Sequence, residues 1–125
     1  MIGDYTSLTP PDVTVRKVGE ILGWRLAVAG VDPKGSATHY SEGTSYTKYS
    51  YGTAVRLPNI FAHRDVNYTT CPGDVGYSKM SQIRSIAQSE IATFSGSSSS
   101  GSPSWTIVGA IRNAWLAAGG GTGAP

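Results

Sequence analysis

Apolar residues recur at helical spacing in two stretches of the chain. Between residues 9 and 30, Val18, Ile21, Leu22 and Leu26 fall three and four apart, which predicts a helix with one apolar stripe. Trp24 and Val28 lie off the centre of that stripe and are expected to widen the buried face. Thr9 reads as the cap, with Pro10 at the first helical position and Asp12 closing a Thr-x-x-Asp capping box. Gly30 reads as a left-handed stop. Gly19 and Gly23 share one side of this helix, and each costs about 1 kcal/mol relative to alanine. Close approach of another backbone would offset that cost; glycines tolerated at the surface are the alternative.

A second helix is predicted from Asp74, which can cap it, with Met80, Ile83, Ala87, Ile91 and Phe94 as its buried stripe and Ile86 beside them. Between the helices the period changes. Thr53, Val55 and Leu57 alternate with Ala54 and Arg56, as in a half-buried strand, and Pro58 closes it. Ile60 to Ala62 read as a short buried strand presenting His63 at its end. Met1 to Tyr5 read as the end of another strand. Thr38 to Gly52 form a polar loop carrying Tyr40, Tyr46, Tyr49 and Tyr51. Such rings can stand exposed, suited to stacking on sugars, or lie half-buried against the sheet.

After Phe94 the composition shifts to SGSSSSGSPS, a Gly/Ser linker that cannot form a core. The expected organisation is a folded unit over 1–94, a linker over 95–104 and a tail over 105–125. In the tail, Ile107, Ile111 and Trp115 recur every four residues before Gly119, Gly120, Gly123 and Pro125.

Composition narrows the function classes. Charged residues make up 14% of the chain, against about 25% in a typical domain. The formal net charge is +2, and no run of Lys or Arg could track phosphates, which argues against a nucleic-acid partner. No apolar run reaches the ~20 residues of a membrane span. The first residues, MIGDYTSLTPP, lack the basic head and apolar centre of a signal peptide. The single cysteine, Cys71, excludes an intrachain disulfide.

Candidate chemistry concentrates in Ile60 to Tyr77, IFAHRDVNYTTCPGDVGY. Seven residues separate His63 from Cys71, and a turn-rich loop of that length can aim both side chains at one ion. Imidazole and thiolate are common zinc ligands. The spacing alone leaves a second reading, a buried cysteine acting as a small apolar residue beside a hydrogen-bonding histidine.

The string His63, Arg64, Asp65, then Thr69, Cys71, Pro72, Gly73 and Tyr77 resembles the C-terminal zinc-binding segment of the type-2 N-acetylmuramoyl-L-alanine amidases. That superfamily includes the peptidoglycan recognition proteins. Ile2 to Tyr5 with the following Pro-Pro, and the phrase ILGWRLAVAGVDPKG, are similar to segments of actinobacterial members. The resemblance implies an α/β fold with a mixed sheet and flanking helices, here truncated at its N-terminus. It implies zinc as cofactor, peptidoglycan or muropeptide as partner, and a location in the cell wall outside the membrane. The implied reaction is hydrolysis of the amide between N-acetylmuramic acid and L-alanine.

By position, His63 and Cys71 are metal ligands. Thr69 is the donor to the developing oxyanion. Asp65 orients a ligand, and Arg64, Asn67 and Tyr68 are candidates for substrate binding. The family's first zinc histidine and its catalytic tyrosine have no counterpart here, so the isolated chain is expected to be weak or inactive. His39 or Glu42 could replace the missing ligand only if their loop swung over the metal; an exposed loop histidine is the ordinary alternative. Surfaces left open by truncation could favour self-association.

The tail residues Gly109, Ile111, Trp115, Gly119, Gly120, Gly123 and Pro125 resemble the opening of an LGFP-type cell-wall repeat; a short amphipathic helix with a glycine stop is the alternative. Two rival functions stand beside the amidase: a muropeptide-binding module without catalysis, and a zinc-free structural fragment.

Overall fold

The computed structural model describes residues 3–96. The chain divides into two units, Met1–Ile91 and Ala92–Pro125, and of the second only the end of one helix is described. In order come α1 (Asp12–Ala29), β1 (Ser36–Tyr40), β2 (Ala54–Pro58), α2 (His63–Val66), α3 (Asp74–Ser78) and α4 (Met80–Gly96). This is an α/β chain whose sheet, among the described residues, is one antiparallel pair. No described helix is long and apolar enough to cross a membrane. The rest of the linker, 97–104, and the expected repeat over 105–125 lie outside the described residues.

Helix α1 starts later than its capping signals suggested. The cap is Pro11, in an extended conformation (φ −54°, ψ 140°) and with no side-chain cap. Its carbonyl accepts the Thr14 and Val15 N–H groups at 2.9 and 3.1 Å. The tandem prolines explain the shift: the ring of Pro11 disfavours helical geometry at Pro10, so neither Thr9 nor Pro10 can open the helix. The expected Thr9–Asp12 capping box does not form; Asp12 instead places a carboxylate in the first turn, where the helix dipole favours it. At the far end Gly30 adopts the left-handed conformation (φ 69°, ψ 30°), as the sequence suggested.

The core joins α1 to α4. Val15, Ile60, Ile83 and Ala87 are buried, with Val18, Leu22, Leu26, Met80 and Ile86 packed against them. Both α1 glycines face α4 at close range. A Cβ on Gly19 would stand 2.6 Å from Ile86 Cβ, and one on Gly23 would stand 2.6 Å from the Ala87 carbonyl oxygen. Close approach, the first of the two alternatives, is therefore what the glycines serve.

The same geometry corrects the expected stripe. The buried face is centred on Val15, Gly19 and Gly23, and Ile21 sits two residues, more than half a turn, from each glycine. Ile21 is accordingly 63% exposed, and Trp24, expected to widen the buried face, is 45% exposed.

The strand pair runs in register from Ser36 opposite Pro58 to Tyr40 opposite Ala54. The alternation in β2 was legible, with Leu57 buried, Val55 half-buried and Arg56 exposed. Strand β1 was not: of its five residues only Ala37 is even half-buried, so it carries no apolar alternation.

Among the described residues, two further expected strands do not form. Gly3 to Tyr5 form bends and turns. Residues 60–62 alternate buried, exposed, buried, yet pair with no strand. Side chains bind their backbone instead: Arg84 Nε donates to the Ile60 carbonyl at 2.9 Å, and the Ala62 N–H donates to Asp65 Oδ2 at 2.8 Å. The helix expected from Asp74 is split at Lys79 into α3 and α4, and Gly73, not Asp74, holds the cap position of α3.

Candidate metal-donor loop

Helix α2 is a single turn, and His63 is its first residue. One turn cannot stabilise itself, and Asp65 supplies much of what holds it. Its Oδ2 accepts the Ala62 N–H, while Oδ1 accepts the Tyr77 hydroxyl at 2.7 Å. That bond to Asp65 is the first cause holding the Tyr77 phenol above its usual value near 10; burial and the Asp65 charge add to it. Asp65 therefore supports the segment carrying His63.

Beyond α2 the chain folds back on itself. The Asn67 N–H donates to the His63 carbonyl at 3.0 Å, and the Cys71 N–H donates to Thr69 Oγ1 at 3.2 Å. The Arg64 N–H then donates to the Cys71 carbonyl at 3.1 Å. This last bond closes the loop, joining the residue after His63 to Cys71 itself. Both donor-bearing residues are exposed, and Cys71 is a free thiol. The alternative of a buried, inert cysteine is thereby excluded.

Arg64 braces the closure with its side chain. The guanidinium donates to the Thr70 carbonyl and, at 2.9 Å, to Asp74 Oδ1, and it lies 4.9 Å from the centroid of the Tyr77 ring. The Arg64 carbonyl in turn accepts from Lys48 Nζ. Two of the three guanidinium nitrogens of Arg64 are thus engaged in holding the loop, while Nε has no hydrogen-bond partner.

Two neighbouring segments were not legible in the sequence. Residues 46–48 pair with 66–68 through an isolated antiparallel bridge between Thr47 and Asn67. The Tyr5 carbonyl accepts the Val75 and Gly76 N–H groups, both at 3.1 Å, and so caps α3 from a distant part of the chain. Gly73 makes that seating possible. It holds φ +86° and ψ 159°, a region open in practice to glycine alone. A Cβ there would fall on the Tyr5–Thr6 backbone. The one advance sign was the Pro-Gly pair after Cys71.

The other expected residues are placed as follows. Thr69 accepts the Cys71 N–H and keeps its own hydroxyl proton. Asn67 is half-buried in the bridge, and Tyr68 is 72% exposed. His39 stands exposed in β1 opposite Val55, and Glu42 is exposed just beyond.

Among the described residues no three or more of His, Cys, Asp and Glu gather as a metal site. His63 and Cys71 thus fit zinc in kind but fall one short of the three protein ligands of a catalytic zinc. Neither His39 nor Glu42 makes up the number. No family model, curated protein or solved structure matches the chain.

Proposed function

We propose that this chain carries part of the active site of a zinc-dependent peptidoglycan amidase, within a domain of the type-2 N-acetylmuramoyl-L-alanine amidase kind. The observation that supports this reading most is the loop closure, in which Arg64 N–H to Cys71 carbonyl at 3.1 Å brings an exposed imidazole and an exposed thiol onto one short loop. His63 and Cys71 would hold the metal. Zinc, when bound with an open position, lowers the pKa of its water and polarises a carbonyl.

Thr69 keeps a hydroxyl proton that can be donated toward the oxygen of a scissile amide. Asp65 and Arg64 hold the two donors in place. On this reading the third ligand and the catalytic tyrosine are supplied from outside these 125 residues. On this account the parent protein acts on the amide between N-acetylmuramic acid and L-alanine, in the cell wall outside the membrane, within a larger mixed sheet. The 125-residue chain alone is weak or inactive.

Zinc content of the purified protein by elemental analysis tests the reading, with His63→Ala, Cys71→Ser and His39→Ala beside it. The expected result is weakly held zinc that is lost in the first two variants and unaffected in the third. Zinc retained in Cys71→Ser would refute it. A protein that binds muropeptide but no zinc would instead be a binding module.

A further inference from the structure

Helix α1 carries a second apolar stripe besides the face it gives to α4. At about 100° per residue, Val13, Lys17, Ile21, Trp24 and Val28 fall within about 80° of arc, on the side away from Val15, Gly19 and Gly23. Val13 and Ile21 are each 63% exposed, Trp24 is 45% exposed, and Val28 is half-buried. Lys17, in the middle of the stripe, meets Glu20 at 2.6 Å, so its charge is balanced within the helix.

The spacing of these residues is symmetric about the midpoint between Glu20 and Ile21. Val13 and Val28 stand equally far from that point, as do Arg16 and Arg25, and Lys17 and Trp24. A two-fold axis there would lay two copies of α1 antiparallel, setting Val13 on Val28 of the other copy and Lys17 on its Trp24. Such an interface is self-complementary, and every contact in it occurs twice. Parallel pairing would instead oppose Lys17 to Lys17 and leave the indole without a cation.

We propose that this face of α1 is a self-association surface, on which a second copy of the chain docks antiparallel about a two-fold axis between Glu20 and Ile21. The Trp24 ring receives the Lys17 ammonium of the other copy, as the negative face of an indole favours. Ile21 of each copy lies beside the axis and covers its counterpart. Arg16 and Arg25 are exposed at the edges of the stripe, where their charges stay in water. A lipid surface offers the central Lys17–Glu20 pair no such partner.

Size sets the strength. The strip from Val13 to Val28 is about 22 Å long at 1.5 Å per residue and about 10 Å wide. Two such faces bury less than the ~1,200 Å² at which stable complexes begin, so the dimer is weak and depends on concentration. This association does not rest on the metal reading and survives its failure.

Sedimentation velocity of the purified 125-residue protein over about 0.05–1 mM tests it. The wild type should sediment faster as concentration rises. Trp24→Ala and Lys17→Glu should each weaken association about tenfold, because each lost contact counts twice across the axis. Both side chains are exposed, so the variants should keep the wild-type circular dichroism. Tyr51→Ala, which removes a ring 83% exposed outside α1, should associate as wild type.

Cross-linking reads the orientation. Val13→Cys and Val28→Cys are each made on a Cys71→Ser chain, one of them isotope-labelled, then mixed and oxidised with diamide. Mass spectrometry should show the mixed disulfide dimer forming faster than either like pair. Like pairs forming faster would overturn the antiparallel arrangement. A chain that stays monomeric up to about 1 mM, or a Trp24→Ala variant that associates as wild type, would overturn the surface itself. A monomer that binds phosphatidylglycerol vesicles through Trp24 would overturn it in favour of a membrane.

Discussion

Replacing Gly73 by alanine probes how the donor loop is seated on the rest of the fold. The substitution makes two demands. The backbone at φ +86°, ψ 159° is one that residues with a Cβ hold at a cost of about 1–3 kcal/mol. The added Cβ would also overlap the backbone of Tyr5 and Thr6, where no side chain can rotate away. Relief requires the 5–6 segment to move off, and that breaks the two bonds from Val75 and Gly76 N–H to the Tyr5 carbonyl. Each such bond contributes about 0.5–1.5 kcal/mol net.

Together the expected loss is about 2–6 kcal/mol, a large part of the 5–15 kcal/mol typical of a domain. Urea unfolding followed by circular dichroism measures it. Gly30→Ala is the matched control, because Gly30 also has positive φ but a Cβ there meets nothing within 4 Å. It should lose only about 1–2 kcal/mol. If Gly73→Ala lost no more than Gly30→Ala, the seating of Tyr5 on this loop would be wrong.

Two further outcomes follow from the same structure. Gly23→Ala should destabilise despite a helix-propensity gain of about 1 kcal/mol, because its Cβ would stand 2.6 Å from the Ala87 carbonyl oxygen and 2.9 Å from its Cα, both backbone. A rise in melting temperature would contradict the close crossing of α1 and α4. For Tyr77, the hydrogen bond to Asp65 holds the phenol protonated above pH 10, so its contribution is complete below the unfolded-state value of 10 and is lost as pH rises through the higher folded-state value. Absorbance titration should show a tyrosine ionising above pH 10 that disappears in Tyr77→Phe and moves down in Asp65→Asn; its persistence in Tyr77→Phe would refute the assignment.

How far the sequence spoke depended on whether a signal was local. Gly30 as helix stop, the alternation of Val55 and Leu57, and the pair Ile83 and Ala87 on α4 were all legible, because spacing along one element encodes them. The phase of α1 is not legible from the sequence because its contact face is built on glycines, which add nothing to an apolar count while Ile21 and Trp24 do. Strand β1 is not legible because its residues face water. The loop carrying His63 and Cys71 was locatable from the string between them. Their supports were not: Tyr5 on Gly73, Lys48 on the Arg64 carbonyl and Tyr46 beside Tyr68 join residues far apart in the chain. Only tertiary packing brings those together.

The central claim is that His63 and Cys71 act as one metal-donor pair on a closed loop. Cobalt(II) titration of the purified protein, watching the thiolate-to-cobalt charge-transfer band, reads that pair most directly. The band should appear in the wild type, vanish in Cys71→Ser, weaken strongly in His63→Ala and stay unchanged in His39→Ala. A wild-type protein with no such band, or a band untouched by His63→Ala, would contradict the account.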